Sequence, residues 1–198
     1  MKKTILRFFS SISHKWWIFW SNFRFRKSER FVGSVLNEDK ADTVTEIRKL
    51  NLRLLKKFNY TNDGVDQLFD AVLPPPQAYK DYLTDELKDD CDGFHALMLN
   101  CLRANDIECY LLTVTAWRNG HCVLVFNLNG LWHVADYDTV YSGHKELQEA
   151  IDRYNVEYPK VYNINQEVFY NSLVDYDYAK GKYKITSVKK IMKKNASN

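Results

Sequence analysis

The dipeptide Asn129-Gly130 restricts this chain more than any other feature. It stands between two runs of apolar and β-forming residues, His121–Leu128 and Leu131–Asp136. The favoured two-residue hairpin loop needs positive φ at both central positions, and asparagine and glycine adopt it most readily. The two runs are therefore expected to pair antiparallel, with Leu128 opposite Leu131. In that register Val123 faces Asp136 and His121 faces Asp138. Side chains alternate along a strand, so His121 and Asp136 share one sheet face as diagonal neighbours, with Cα atoms roughly 7–8 Å apart. The remainder of that face is Val123, Val125, Trp132 and Val134, an apolar surface suited to packing on a helix. Two ionisable groups at the open end of a core-facing surface need an explanation, and a catalytic pair is one.

The helix expected to cover that surface runs from about Cys91 to Arg103. Asp90 is placed to cap it, and Phe94, Leu97, Met98, Cys101 and Leu102 recur at i, i+3, i+4, i+7 and i+8. Ile107–Thr115 reads as a strand. Upstream, Thr43-x-x-Glu46 is a capping box that starts a core-packing helix with Val44, Ile47, Leu54, Leu55 and Phe58 on one side. Asn62-Asp63-Gly64 reads as a turn and Val65–Val72 as a short helix stopped by Pro74-Pro75-Pro76. Tyr79–Leu87 reads as a loop or short helix and Lys145–Tyr154 as a helix. Val161–Val174 is compatible with either helix or strand. Lys180-Gly181-Lys182 reads as a turn into a final strand, Tyr183–Val188.

Cys91 falls in the first turn of its helix. Free N–H groups and the positive end of the helix dipole favour a thiolate there. Asp89, Asp90 and Asp92 oppose it by like-charge repulsion, so a reactive thiol at this position needs a cationic partner such as histidinium. Taken alone, a cysteine is more often a small buried hydrophobe. Cys101, Cys109 and Cys122 are read that way.

Three segments together resemble the transglutaminase-like superfamily: Asp90-Cys91-Asp92-Gly93-Phe94 with its helix, Gly120-His121-Cys122-Val123, and Trp132-His133-Val134-Ala135-Asp136. The resemblance spans about residues 75–140. It departs from the family pattern at Asp89, where glycine is frequent, and at Cys122, where a small or apolar residue is frequent. It implies an α+β fold, a papain-like core with the nucleophile helix packed on an antiparallel sheet, plus helical N-terminal additions. It also implies a catalytic Cys91, His121, Asp136 triad for thiol-dependent acyl transfer on a protein or peptide substrate. Water as acceptor gives a cysteine protease or amidase, and an amine gives a transglutaminase. No cofactor is required. A non-catalytic interaction or structural protein on the same fold is the alternative. Asp138 competes with Asp136 as the orienting acid. His133 points to the other sheet face and reads as a surface or satisfied histidine, His95 points alongside the thiol, and His14 and His144 lie in the arm and near a helix start. Cys91 N–H is one oxyanion donor; Trp117, Gln77 and Tyr82 are candidates for the second.

Charge is divided unevenly. Residues 1–30 carry eight Lys or Arg against one acid, residues 178–198 carry seven Lys and no acid, and the body between is strongly acidic. The expected organisation is a basic aromatic arm (1–33), a transglutaminase-like domain (34–188) and a basic tail (189–198). An acidic body makes nucleic acid an unlikely partner. The arm holds Trp16, Trp17 and Trp20 beside Lys15, Arg24, Arg26 and Lys27, which suits an anionic membrane surface or a protein partner. The other reading is that its aromatics pack on the domain, since no clean helical stripe is evident. The longest apolar run, Trp16–Trp20, is far short of the roughly 20 residues a span requires. A cytoplasmic setting is expected, because no secretory signal or cysteine framework is evident. Cys91 to His95 and His121-Cys122 are too sparse for a zinc site.

Overall fold

The computed structural model describes residues 2–28, 35–61, 71–116 and 119–195. The expected turn at Asn62-Asp63-Gly64 and most of the expected helix after it lie outside the described residues, as does Trp117. The elements in chain order are α1 (Lys2–Arg24), α2 (Val44–Lys57), β1 (Asn59–Tyr60), α3 (Pro75–Leu83), β2 (Lys88–Asp89), α4 (Cys91–Ala104), β3 (Glu108–Ala116), β4 (Asn119–Leu128), β5 (Leu131–Asp136), β6 (Thr139–His144), α5 (Leu147–Val161), β7 (Tyr170–Asp177), β8 (Lys182–Thr186) and α6 (Val188–Asn195). The fold is α+β: an antiparallel six-stranded sheet of order β6-β5-β4-β3-β7-β8, with helices on both faces.

The hairpin at Asn129-Gly130 forms as its residues dictate. Both have positive φ, 54° and 78°, and Leu128 pairs with Leu131 and Leu124 with Ala135. The capping box forms as well: Glu46 N–H donates to Thr43 Oγ1 at 3.2 Å, and Thr43 N–H donates to Glu46 Oε2 at 3.2 Å. The prolines begin a helix. Pro75 and Pro76 open α3, because the first helical turn has no use for the N–H that proline lacks.

The core lies in two halves, one on each sheet face. On one side α4 buries nearly its whole circumference, from Phe94 and Leu97 to Leu99 and Cys101, between the sheet and the flanking helices α2 and α3. Each fully buried leucine there contributes about 1.5–3 kcal/mol by leaving water. On the other side α5 covers Val123, Val125, Trp132 and Val134 through Leu147, Ile151, Tyr154 and Tyr158. This corrects one expectation. The sheet face that carries His121 and Asp136 packs on α5, and α4 rests on the opposite face, against Leu111, Leu124, Phe126 and Ala135. The alternation holds, but β4 is buried on both faces, so alternation cannot say which helix takes which side.

One further strand, a C-terminal helix and the arm differ from the sequence reading. β6 was not anticipated; it pairs Asp136 with Thr139 across a two-residue turn in which Tyr137 has φ 48°. Residues up to Asn195 form α6, whose Ile191 enters the α5-side core. Residues 2–24 are one continuous helix with a clear stripe, Ile5, Phe8, Phe9, Ile12, Trp16, Phe19 and Phe23, all exposed. The stripe is masked in the sequence because Ile18, which is buried, and Trp17 interrupt it from the opposite side, where the helix docks on the domain. Docking uses Arg7 to the Phe169 carbonyl, His14 to Ser172 and Thr113, and Asn22 to the Tyr183 backbone.

Candidate active site

Cys91 begins α4 because Asp90 caps the helix, its carboxylate accepting from Asp92 N–H at 3.0 Å. The β4–β5 ladder ends at Leu124–Ala135. Beyond that point the N–H of Cys122 donates to Cys91 Sγ at 3.4 Å. The thiol therefore sits against the backbone one residue from His121, although α4 and the His121 side chain approach from different sheet faces. Cys91 is partly exposed, and all four cysteines are free. Asp89, Asp90 and Asp92 bring one carboxylate oxygen each to within 4.8 Å of one another beside it. That negative cluster works against a thiolate, while the Cys122 N–H works for one. These three carboxylates are also the described group with the donor types and spacing for a cation.

His121 Nε2 lies 2.9 Å from Asp136 Oδ1, and the two side chains are only 7% and 4% exposed. Asp136 is held further. Tyr154 donates its hydroxyl to Oδ2 at 2.8 Å, and Tyr162 donates to Oδ1 at 3.0 Å. Burial alone would raise the pKa of this carboxyl; the hydrogen bond and charge of His121, aided by His95 and Tyr154, reverse that and hold it below the ordinary value. An ionised Asp136 accepts from Nε2–H and so leaves Nδ1 as the imidazole's basic nitrogen. Asp138 does not compete. It lies exposed in the β5–β6 turn, where its carboxylate accepts from Thr139. The expected His121–Asp138 pairing fails because the chain reverses at Tyr137 before a ladder can reach it.

The His121 ring is fixed from several sides. It stacks on Tyr158, with centroids 5.5 Å apart and planes 9° apart, and Tyr137 and Tyr162 flank it at 5.8 and 4.9 Å. Tyr154, Tyr158 and Tyr162 are successive turns of one helix and its cap, a ladder along the histidine–aspartate pair. Burial raises the pKa of all three hydroxyls, Tyr158 to about 12, so they remain protonated donors at neutral pH. The four-residue spacing was visible in the sequence. The sequence predicts a helix ending at Tyr154, whereas α5 continues through Pro159 to Val161 and so brings the later tyrosines into line.

His95 proves to be more than a neighbour of the thiol. It is fully buried, its Nε2 accepts from Tyr137 N–H at 3.3 Å, and its Nδ1 donates to the Cys91 carbonyl at 2.6 Å. A backbone N–H can only donate, so the proton must be on Nδ1. Burial lowers its pKa to about 4, which keeps the ring neutral. His95 thus ties the start of α4 to the end of β5.

Cys91 and His121 both line two adjoining hollows. One, of about 230 Å³, is walled by Ser13, His14 and Trp17 of α1 together with Thr113. The other, of about 530 Å³, is aromatic, with Tyr60, Tyr137, Tyr158 and Tyr162. His14 is buried enough to lower its pKa to about 4, and its two ring nitrogens face Thr113, Thr115 and Ser172, so it serves to pin α1. His133 is buried against Phe126, at 5.0 Å and 15°, and is no surface group. Of the oxyanion candidates, Gln77 is engaged with Asp81 at 2.7 Å, and neither it nor Tyr82 lines the two hollows.

No protein-family model matches the chain. No curated protein matches it either. Among solved structures, a protein from Cytophaga hutchinsonii titled a "Putative Cysteine Protease" aligns with it at a TM-score of 0.41 and 13% identity. The alignment covers 88% of this chain and 49% of that one, so this chain spans about half the length of that protein.

Proposed function

We propose that this protein is a thiol-dependent acyl-transfer enzyme with Cys91 as nucleophile, His121 as general acid–base and Asp136 as the group that orients it, on a transglutaminase-like variant of the papain-like arrangement. The observation that carries the reading is the buried His121–Asp136 hydrogen bond at 2.9 Å, opening onto hollows that Cys91 also lines. A histidine tied to a carboxylate through Nε2 has Nδ1 available to accept the thiol proton.

In the forward step Nδ1 takes the proton from Cys91. Sγ attacks the carbonyl carbon of a peptide or amide, and a C–S bond forms. The tetrahedral oxyanion collapses, the C–N bond breaks, and the amine leaves with the proton from Nδ1. Water or a second amine then attacks the thioester by the reverse path and frees the thiol. Cys91 N–H is one oxyanion donor, and Cys122 N–H, already directed at Sγ, is a second. Hydrolysis is the favoured outcome because water is always present. The paired hollows suit a substrate crossing the thiol, with one side in the aromatic hollow and the other beneath α1.

The test is alkylation of Cys91 by iodoacetamide followed by mass spectrometry. Cys91 should react faster than an ordinary thiol at neutral pH, and His121→Ala should remove the advantage while the fold is kept. Equal labelling of the two proteins would leave a non-catalytic interaction protein as the reading.

A further inference from the structure

The outer face of α1 presents an apolar surface that none of the other described residues covers. Seven of the sixteen large hydrophobic side chains that stand exposed among the described residues lie on this one helix, Phe8 and Phe9 each at 62%. They recur at three- and four-residue intervals from Ile5 to Phe23 and so form a single stripe along the helix. At 23 residues the helix is about 35 Å long by its rise per residue. The opposite face is already engaged: Arg7, His14 and Asn22 are bonded to the strands and the loop before them, and Ile18 and Ser21 are buried. A stripe of this extent directed at water marks a contact with something else.

Charge selects the occupant. Residues 2–28 contain seven Lys or Arg and no acid. Lys15, Arg24, Arg26 and Lys27 stand exposed along the helix and just beyond it, while Lys3 is paired with Glu167 at 2.9 Å and Arg7 with the Phe169 carbonyl. A second copy of this chain would set one such helix against another and bring like charges together. An anionic bilayer does the reverse. Its headgroups attract the cations, and its acyl boundary takes the phenylalanines, isoleucines and Trp16. No described helix is long and apolar enough to cross a membrane, so the contact is with the surface.

We propose that α1 is an in-plane membrane-docking helix that inserts the Ile5–Phe23 stripe into the headgroup boundary of an anionic bilayer. The inner side of the same helix walls the hollow beside Cys91 through Ser13, His14 and Trp17. Docking therefore sets that hollow at a fixed height and orientation above the lipid surface. The proposal does not rest on the acyl-transfer reading, and Cys91→Ser should dock as the wild type does.

Flotation of the full chain with vesicles tests it. Wild type should float with equimolar phosphatidylcholine–phosphatidylserine vesicles, less with phosphatidylcholine alone, and less as salt rises. Phe8→Ser with Phe9→Ser should weaken binding by on the order of tenfold per phenylalanine, with circular dichroism unchanged. If that variant does not fold, Phe19→Ser with Phe23→Ser at the other end of the stripe gives the same reading. The idea is overturned if wild type stays free of the anionic vesicles, or if a folded stripe variant binds them as wild type does. It is also overturned if the wild type is a dimer that the stripe variant splits, since a second copy would then own this face.

Discussion

Tyr154 donates its hydroxyl to Oδ2 of Asp136 at 2.8 Å, while His121 holds Oδ1 at 2.9 Å. The carboxylate is thus gripped by a neutral donor on one side and an imidazole on the other, with almost no access to water. Tyr154→Phe should cost about 1.5–3 kcal/mol, the range for a hydrogen bond to a charged group. It should also move the acid limb of stability. Asp136 titrates below its ordinary value, so its contribution is present above the unfolded pKa and is lost as pH falls through the folded one. Without Tyr154 that loss should begin at a higher pH, as urea titrations at stepped acid pH would show.

Asp136 and Asp138 can be told apart by their amides. Asp136→Asn should leave the fold in place and reduce turnover on the order of 10⁴-fold, by analogy with the serine triad, since an amide favours the wrong imidazole tautomer. Asp138→Asn should change little, because that carboxylate is exposed and bonded only to its neighbour Thr139 among the hydrogen bonds described. The check is turnover of an amide substrate or, lacking one, the alkylation rate of Cys91. The opposite ranking would remove Asp136 from the proposed site.

His95 makes a prediction about pH. Its pKa is lowered by burial from 6.5 to about 4, and that of His14 is lowered similarly. Between those values the unfolded chain binds protons that the folded chain refuses, so stability is complete above about pH 6.5 and falls as pH drops towards 4. The two rings together could remove several kcal/mol over that window, on the order of 1.4 kcal/mol per unit for each. His95→Asn should flatten part of the slope in chemical denaturation. A wild-type stability curve that is level from neutral pH down to about 4.5 would contradict the neutral, buried ring.

Gly93 is placed where only glycine fits. A Cβ there would overlap the side chain of Asp89, which stands directly against it. Gly93→Ala should destabilise the protein by about 1–3 kcal/mol, the usual range for overpacking, and displace Asp89. Because Asp89 Oδ1 accepts from Asp90 N–H at 2.9 Å, the shift should reach the cap of α4 and disturb Cys91. Thermal unfolding reads the first effect and Cys91 alkylation the second. A variant as stable and as reactive as wild type would mean Asp89 yields freely.

Local chemistry accounts for what the sequence determined by itself. Thr43 and Glu46 cap α2, Asp90 caps α4, and Asn129-Gly130 fixes a register that holds along the hairpin and sets His121 and Asp136 on one face. These are contacts between residues a few positions apart, and residue type decides them. The tertiary structure alone decided which helix covers which face, because a strand buried on both sides looks equally apolar to each. It alone closed the chain at Tyr137, which removed Asp138, and carried α5 through Pro159, which placed Tyr158 and Tyr162 on His121. It alone joined Cys91 to Tyr137 through His95 and turned the aromatic stripe of α1 outward. Each of these depends on packing between segments tens of residues apart, where the free energy is that of burial and side-chain fit rather than of local conformation.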